Sequence, residues 1–208
     1  MRVTFPEGSA SFDMARILAD ELPGFDAAAF LALAKPDEGM LFPDTYYFLP
    51  GMTPQTVVTR LTDTFAQKTA SLAPDIAASG HSEEEILTMA SLVEREAATP
   101  TDRRIVAGIL WKRIAQSMRL QVDAPFGYLH QSDSYQPTAA DTESDSPYNT
   151  YRHDGLPPTP IANPGLDAID AALHPTATPY FYYVTGKDGV MHYAKTFDEH
   201  KTNIAKYL

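Results

Sequence analysis

Two glutamates, Glu94 and Glu96, close an apolar run that begins at Ile86. Ile86, Ala90, Val93 and Ala97 recur at helical spacing, so the run reads as an amphipathic helix. On that helix Glu94 and Glu96 point roughly 200° apart and cannot share one task. Each lies at an edge of the apolar stripe, Glu96 beside Met89 and Leu92, Glu94 beside Leu87. A carboxyl desolvated by such neighbours holds its proton towards neutrality and can serve as a general acid. The same pattern suits a solvated or ion-paired helix face, for which Arg95, Arg103 and Arg104 are ready partners. Both readings stay open on the pattern alone. The six histidines, notably His153, His174, His192 and His200, lack HExxH or comparable spacing and read as hydrogen-bonded surface residues. No metal and no cofactor is expected. The absence of cysteine removes thiol catalysis and disulfides, and no G-x-S-x-G elbow points to a serine hydrolase.

The elements that must position these residues can be read in order. Val3 to Phe5 reads as a strand, Phe12 to Leu22 as a helix broken by Pro23-Gly24, Phe25 to Ala34 as a second helix, and Met40 to Leu49 as extended chain. The order is β-α-α-β, a small LysM-like unit. A helix follows from Thr53, with Pro54 at its first position and Val57, Val58, Leu61 and Phe65 at helical spacing; Ala73-Pro74 and Ser79-Gly80 are expected to close the region. Ser82 and Glu85 form a capping box ahead of Ile86–Ala97, and a further helix spans about Thr101 to Ser117. From Asp123 to Pro147 the chain shows little periodicity and reads as a long functional loop. The proline-rich stretch from Tyr148 to Gly165 excludes a regular helix, and Leu166–Leu173 is a short one. Tyr180–Val184 and Val190–Ala194 flank Gly186-Lys187-Asp188-Gly189 as a β-hairpin, followed by a helix from Asp198 to Tyr207. The fold class is α+β, divided as residues 1–75, the LysM-like unit and connecting helix, and 76–208, a mixed α/β catalytic domain ending in the hairpin and helix.

The chain has 208 residues, 44% of them hydrophobic and 21% charged, the composition of an ordinary globular protein. Sixteen basic against 27 acidic residues give a net charge of −11, which repels nucleic acid. A neutral polymer such as a glycan would instead be held by amides, hydroxyls and aromatic faces. No apolar run approaches the ~20 residues that span a bilayer. The sequence enters a strand at once, so a longer chain is expected ahead of it.

The motifs then resemble a known family. Met89-Ala90-Ser91-Leu92-Val93-Glu94-Arg95-Glu96, followed by Val106-Ala107-Gly108-Ile109, Arg113 and Met118-Arg119-Leu120-Gln121-Val122-Asp123, is similar to the signature of the endolytic murein transglycosylases, also called YceG-like. Glu38-Gly39-Met40-Leu41-Phe42-Pro43-Asp44-Thr45-Tyr46 resembles that family's EG-x-LFPDTY element. Ser146-Pro147-Tyr148-Asn149-Thr150-Tyr151 and Gly155–Gly165 resemble its SPYNTY and GLPPxPIANPG elements. The resemblance covers nearly the whole chain in four ordered motifs.

It implies that Glu96, the second glutamate of the E-x-E pair, is the catalytic acid/base, with Glu94 structural. It implies cleavage of the β-1,4 bond between N-acetylmuramic acid and N-acetylglucosamine within a glycan strand, leaving a 1,6-anhydro end. Gln121, Asp123, Tyr148, Asn149, Thr150 and Tyr151 become substrate-binding candidates, against a loop-fixing role for each. The implied partners are peptidoglycan glycan strands and peptidoglycan synthases. The implied place is the bacterial inner membrane, facing the periplasm or wall, through an N-terminal helix that this sequence lacks. Two departures stand out: Lys112 where the family carries Asn, and Ala124-Pro125 where it carries Pro-Thr. The competing expectation is a non-catalytic peptidoglycan-binding or scaffold protein in which Glu96 is inert.

Overall fold

The computed structural model describes residues 1–132 and 135–208. It has a mixed α+β architecture, mostly helical with two small antiparallel sheets. The chain opens with β1 (Arg2–Thr4), α1 (Ser11–Glu21), α2 (Ala27–Ala34) and β2 (Thr45–Tyr47), in the expected β-α-α-β order. β1 pairs with β2, Val3 opposite Tyr46, and Val3, Phe5, Met14, Leu18, Phe30, Leu41 and Phe48 bury themselves between sheet and helices. Of the extended stretch expected from Met40 to Leu49, only Thr45–Tyr47 is strand. The residues before it bend around Asn163, whose side-chain oxygen accepts from Gly39 N and Leu41 N at 2.8 and 2.9 Å. A ladder cannot form where the amides are already spent.

α3 (Pro54–Thr69) links two apolar cores: Val57, Val58 and Leu61 enter the first, and Phe65 enters the second. Ala73-Pro74 does not close the region as expected. It opens α4 (Ala73–Ser79), because proline fits the first turn of a helix, and Gly80 ends it. α5 (Glu83–Glu96) starts at the predicted capping box, Ser82 Oγ accepting from Glu85 N and Glu85 Oε2 from Ser82 N. From Ile86 to Val93 every residue of α5 is buried, so this helix is the axis of the second core rather than one wall of it. α6 (Pro100–Ala115) and α9 (Leu166–Leu173) pack against it. Gly108 of α6 admits the chain crossing there, since a Cβ would lie 2.1 Å from the Thr176 carbonyl oxygen.

Between Asp123 and Pro147 the expected structureless loop holds two short helices, α7 (Ala124–Leu129) and α8 (Ala139–Glu143). Both are too short to show periodicity; α8 is instead marked by a Thr138–Asp141 capping box. Asp133 and Ser134 of that stretch lie outside the described residues. The chain then runs irregularly to Gly165, as its prolines require. β3 (Tyr182–Thr185) and β4 (Met191–Ala194) form the hairpin, Tyr183 opposite Tyr193, and α10 (Phe197–Tyr207) begins at a Thr196–Glu199 capping box. Among the described residues no helix is long and apolar enough to cross a membrane.

Two buried polar groups tie the loops together. Glu38 accepts from Ser11 N at 3.0 Å, Ser11 Oγ at 2.6 Å and Asn163 Nδ2 at 2.8 Å. Burial outweighs these donors and leaves its carboxyl raised to about 7. Arg113 is the second group. Its guanidinium donates to the carbonyls of Phe181 (2.8 Å), Arg119 (3.2 Å) and Leu120 (2.7 Å), joining the hairpin's approach to the turn after α6.

Asn163 cannot flip its amide without losing Gly39 and Leu41, so a Glu38→Gln amide would face donors. We expect that variant to lose about 2 kcal/mol of stability in urea titrations. Arg113→Met, which leaves the buried Leu120 carbonyl and the part-buried carbonyls of Phe181 and Arg119 without this donor, is expected to cost about 3 kcal/mol in the same measurement and to loosen the hairpin in hydrogen exchange.

Candidate active site

Glu96 is the last residue of α5, where the helix dipole presents its negative end and disfavours a carboxylate. Burial is the largest influence and lifts its carboxyl to about 7, and the charge of Asp123 pushes the same way. Against this act hydrogen bonds from the Tyr183 hydroxyl to Oε2 at 3.0 Å and from the Ala124 backbone, and the more weakly felt charge of Arg95. The result is a carboxyl that is part neutral and part ionised near pH 7.

Glu94, two residues earlier, meets a different environment. Arg103 donates to Oε1 at 2.5 Å and Gly165 N donates to Oε2 at 2.9 Å. Burial raises this carboxyl too, while Gly165 and Arg103 lower it. Arg103 is itself fixed by Asp167 at 2.7 Å and the Ala97 carbonyl at 3.1 Å. Both oxygens of Glu94 are therefore engaged in joining α5 to α6 and to the start of α9.

Glu96 opens into a cleft of about 410 Å³. Of the other candidates, Gln121, Asp123 and Tyr151 line it with Glu96, and Tyr148, Asn149 and Thr150 do not. Gln121 sits in the left-handed region at φ +51°, an uncommon conformation for a residue with a side chain, and is held there by Gln121 N donating to Thr150 O at 3.1 Å. The Thr150 hydroxyl accepts from Val122 N at 3.0 Å and donates to Val122 O at 2.9 Å, fixing the backbone between Gln121 and Asp123. Asn149 is fully buried, donating to the carbonyls of Asp141, Thr142 and Ser144 and accepting from Tyr151 N. Tyr148 hydrogen-bonds Thr159 at 2.7 Å and packs its ring on Tyr128. Tyr151 donates to Asp123 at 2.7 Å, which orients that carboxylate at the cleft rim.

The rest of the lining comes from residues that sequence reasoning did not place in the site. Tyr182 and Tyr183 come from β3, Phe197 and His200 from α10, and Arg113 from α6. Tyr182 stacks on His200 with centroids 5.3 Å apart and lies under the Arg113 guanidinium at 4.9 Å. His200 Nδ1 is buried and unbonded among the described residues, and burial and Arg113 hold the ring towards its neutral form. Lys112 lies outside the cleft: its ammonium donates to Thr178 O at 2.8 Å over the Phe181 ring, anchoring the hairpin's approach. Among the described residues no three His, Asp or Glu side chains converge as metal ligands. The arrangement can protonate a bridging oxygen through a neutral carboxyl, orient polar substituents at Gln121 and Asp123, and stack rings on an aromatic wall.

Comparison with known proteins places the chain among relatives. The YceG-like family model matches residues 1–206. The chain is 36% identical over 177 residues to an endolytic murein transglycosylase of Bacillus subtilis, covering 83% of this chain and 48% of that protein. It is 32% identical over 197 residues to one of Streptococcus pneumoniae, covering 92% of this chain and 35% of that protein. It thus spans half or less of the length of these curated relatives. The crystal structure of a YceG-like protein from Listeria monocytogenes superposes with a TM-score of 0.90 at 29% identity, covering 97% of this chain and 75% of that one. With a family model spanning almost every residue and a solved fold of the same family overlying it, the chain belongs to the YceG-like family.

Proposed function

We propose that this chain carries the catalytic part of an endolytic peptidoglycan lytic transglycosylase, with Glu96 as its acid and base. The observation that carries the reading is the burial-raised carboxyl of Glu96 lining a cleft, unlike Glu94, which is bound by Arg103. Neutral Glu96 gives its proton to the glycosidic oxygen between N-acetylmuramic acid and N-acetylglucosamine as the C1–O bond breaks. The muramic C6 hydroxyl attacks C1 from within the same sugar, and its proton passes to the Glu96 carboxylate. The products are a 1,6-anhydro end and a free 4-hydroxyl, with no water consumed, and Glu96 is regenerated in its starting form.

Gln121, Asp123 and Tyr151 would bind sugar hydroxyls and N-acetyl groups along the rim, and Asn149 and Thr150 would act through the backbone that presents them. Residues 1–75 are read as a LysM-like unit with its connecting helix and 76–208 as the catalytic domain. A wall-cutting enzyme works outside the cytoplasm, so the natural setting is the inner membrane, facing periplasm or wall, beside peptidoglycan synthases. Crosslinking in cells that recovers no synthase would remove that last association.

Glu96→Gln is expected to lower turnover of purified glycan strands by about 10²–10⁴-fold, with anhydro-muramic ends lost in mass spectrometry. Reducing-end products from the unaltered protein would indicate hydrolysis, and retained pull-down without any product would indicate a binding module. The neutral carboxyl is the active form and its midpoint lies at about 7. kcat/KM should therefore be level on the acid side of that midpoint and fall about tenfold per pH unit above it.

A further inference from the structure

We propose that Tyr183 is the positioning residue for Glu96: its hydroxyl holds Oε2 as an acceptor, so that the transferable proton stays on Oε1. The inference rests on the acid/base reading of Glu96 and adds to it a residue that lies 87 positions away in sequence.

The geometry makes this contact rigid. Tyr183 is central in the hairpin, opposite Tyr193. β4 is pinned to α6 by Tyr193, whose hydroxyl donates to Asp102 at 2.5 Å. The chain entering β3 is pinned to α6 twice, by Arg113 Nε on Phe181 O at 2.8 Å and by Lys112 Nζ on Thr178 O at 2.8 Å. The Tyr183 hydroxyl thus reaches Glu96 from a strand tied to α6, which itself packs on α5. Burial and the neighbouring Glu96 hold the Tyr183 phenol well above its usual range, so it remains protonated and can donate throughout the neutral region.

A donor fixed on one carboxyl oxygen acts differently in the two states of the acid. Against neutral Glu96 it bonds a carbonyl oxygen; once the proton has left, it bonds a carboxylate, and that charge-assisted bond is roughly twice as strong. The gain appears as the proton moves, so it stabilises the transition state more than the bound substrate. Other groups facing Glu96 set the background against which this is read: Arg95 on its own helix, Asp123 and the Ala124 amide at the start of α7. Tyr151, Arg113 and His200 line the same cleft from the 148–165 segment, α6 and α10.

The test compares Tyr183→Phe, a fluorinated tyrosine placed at 183, and Tyr193→Phe as a hairpin control, with folding checked by thermal melts. Tyr183→Phe should lower kcat about 10-fold or more with KM changed less than about twofold. Its descending pH limb, and the Glu96 carboxyl titration followed by carbon-13 NMR, should move up by about one unit. The fluorinated residue has the same shape and a more acidic hydroxyl, so it should move both the opposite way. Tyr193→Phe should leave both midpoints unmoved, because the Arg113 and Lys112 ties to the chain entering β3 still hold the Tyr183 hydroxyl on Glu96. Unchanged kcat and midpoint in Tyr183→Phe would overturn the assignment, as would an unmoved midpoint in the fluorinated protein, which decides the matter if Tyr183→Phe fails to fold. Full turnover in Glu96→Gln would remove the acid/base reading itself and this inference with it; an inactive Glu96→Gln beside a normal Tyr183→Phe would remove the inference alone.

Discussion

The burial of α5 on every side is the constraint from which the site follows. A helix whose residues from Ile86 to Val93 are all enclosed brings its final turn, Glu94–Glu96, half-buried to the edge of that core, and that turn holds two carboxyl groups. A buried carboxylate is costly unless it is compensated, and the two positions resolve the cost differently. Glu94 takes Arg103 and the Gly165 amide, and so becomes a joint between helices. Glu96 takes a tyrosine hydroxyl and a backbone amide, which hydrogen-bond without neutralising, and it retains affinity for a proton near pH 7. The roughly 200° between positions i and i+2 of a helix is what lets one turn serve both ends.

The loops that complete the cleft have no regular structure to hold them, so their backbone groups are satisfied by a few side chains. Asn163 engages both amide atoms, accepting from Gly39 and Leu41 and donating to Ser9 O and Glu38. Gly39, at φ +93°, passes so close to Pro160 that a Cβ would sit 2.6 Å from the ring, which explains a glycine at that point. Arg113 does for the hairpin and the Arg119–Leu120 turn what Asn163 does for the N-terminal loops. Thr150 then uses one hydroxyl to clamp Val122 at both backbone atoms, and this lets Gln121 hold its left-handed conformation at the rim.

Much of this was legible in the sequence because it is local. The Ser82–Glu85 capping box, the 3.6-residue spacing of α3 and α5, and the Gly186–Gly189 turn each act within a few residues, and each element lies where its signal stands. What was not legible is what depends on partners distant in the chain. β2 is three residues long because Asn163, over a hundred residues later, takes the amides before it. α7 and α8 are shorter than two turns and leave no period to detect. The motif around Glu96 stood out, but the motif around Asn149 mixes residues of different use: Tyr151 faces the cleft, and Tyr148, Asn149 and Thr150 are engaged in their own loops. Tyr183 is one of two adjacent tyrosines in β3, with nothing in its neighbours to mark it.

The cleft contains a second carboxylate, Asp123, and its surroundings bear on which chemistry the site favours. A retaining hydrolase uses one carboxyl as acid and another as nucleophile, and an inverting one uses the second to activate water. Asp123 is exposed at the rim and accepts from Tyr151 at 2.7 Å, which engages one of its oxygens. Its negative charge adds to burial in raising the Glu96 carboxyl. In the proposed reaction one such carboxyl suffices: burial, with the charge of Asp123 adding to it, favours the protonated Glu96, Asp123 receives sugar donors at the rim, and the attacking oxygen comes from the substrate's own C6 hydroxyl. That route asks for one group able to give and then take a proton at neutral pH, and the carboxyl at the end of α5 is built to those terms.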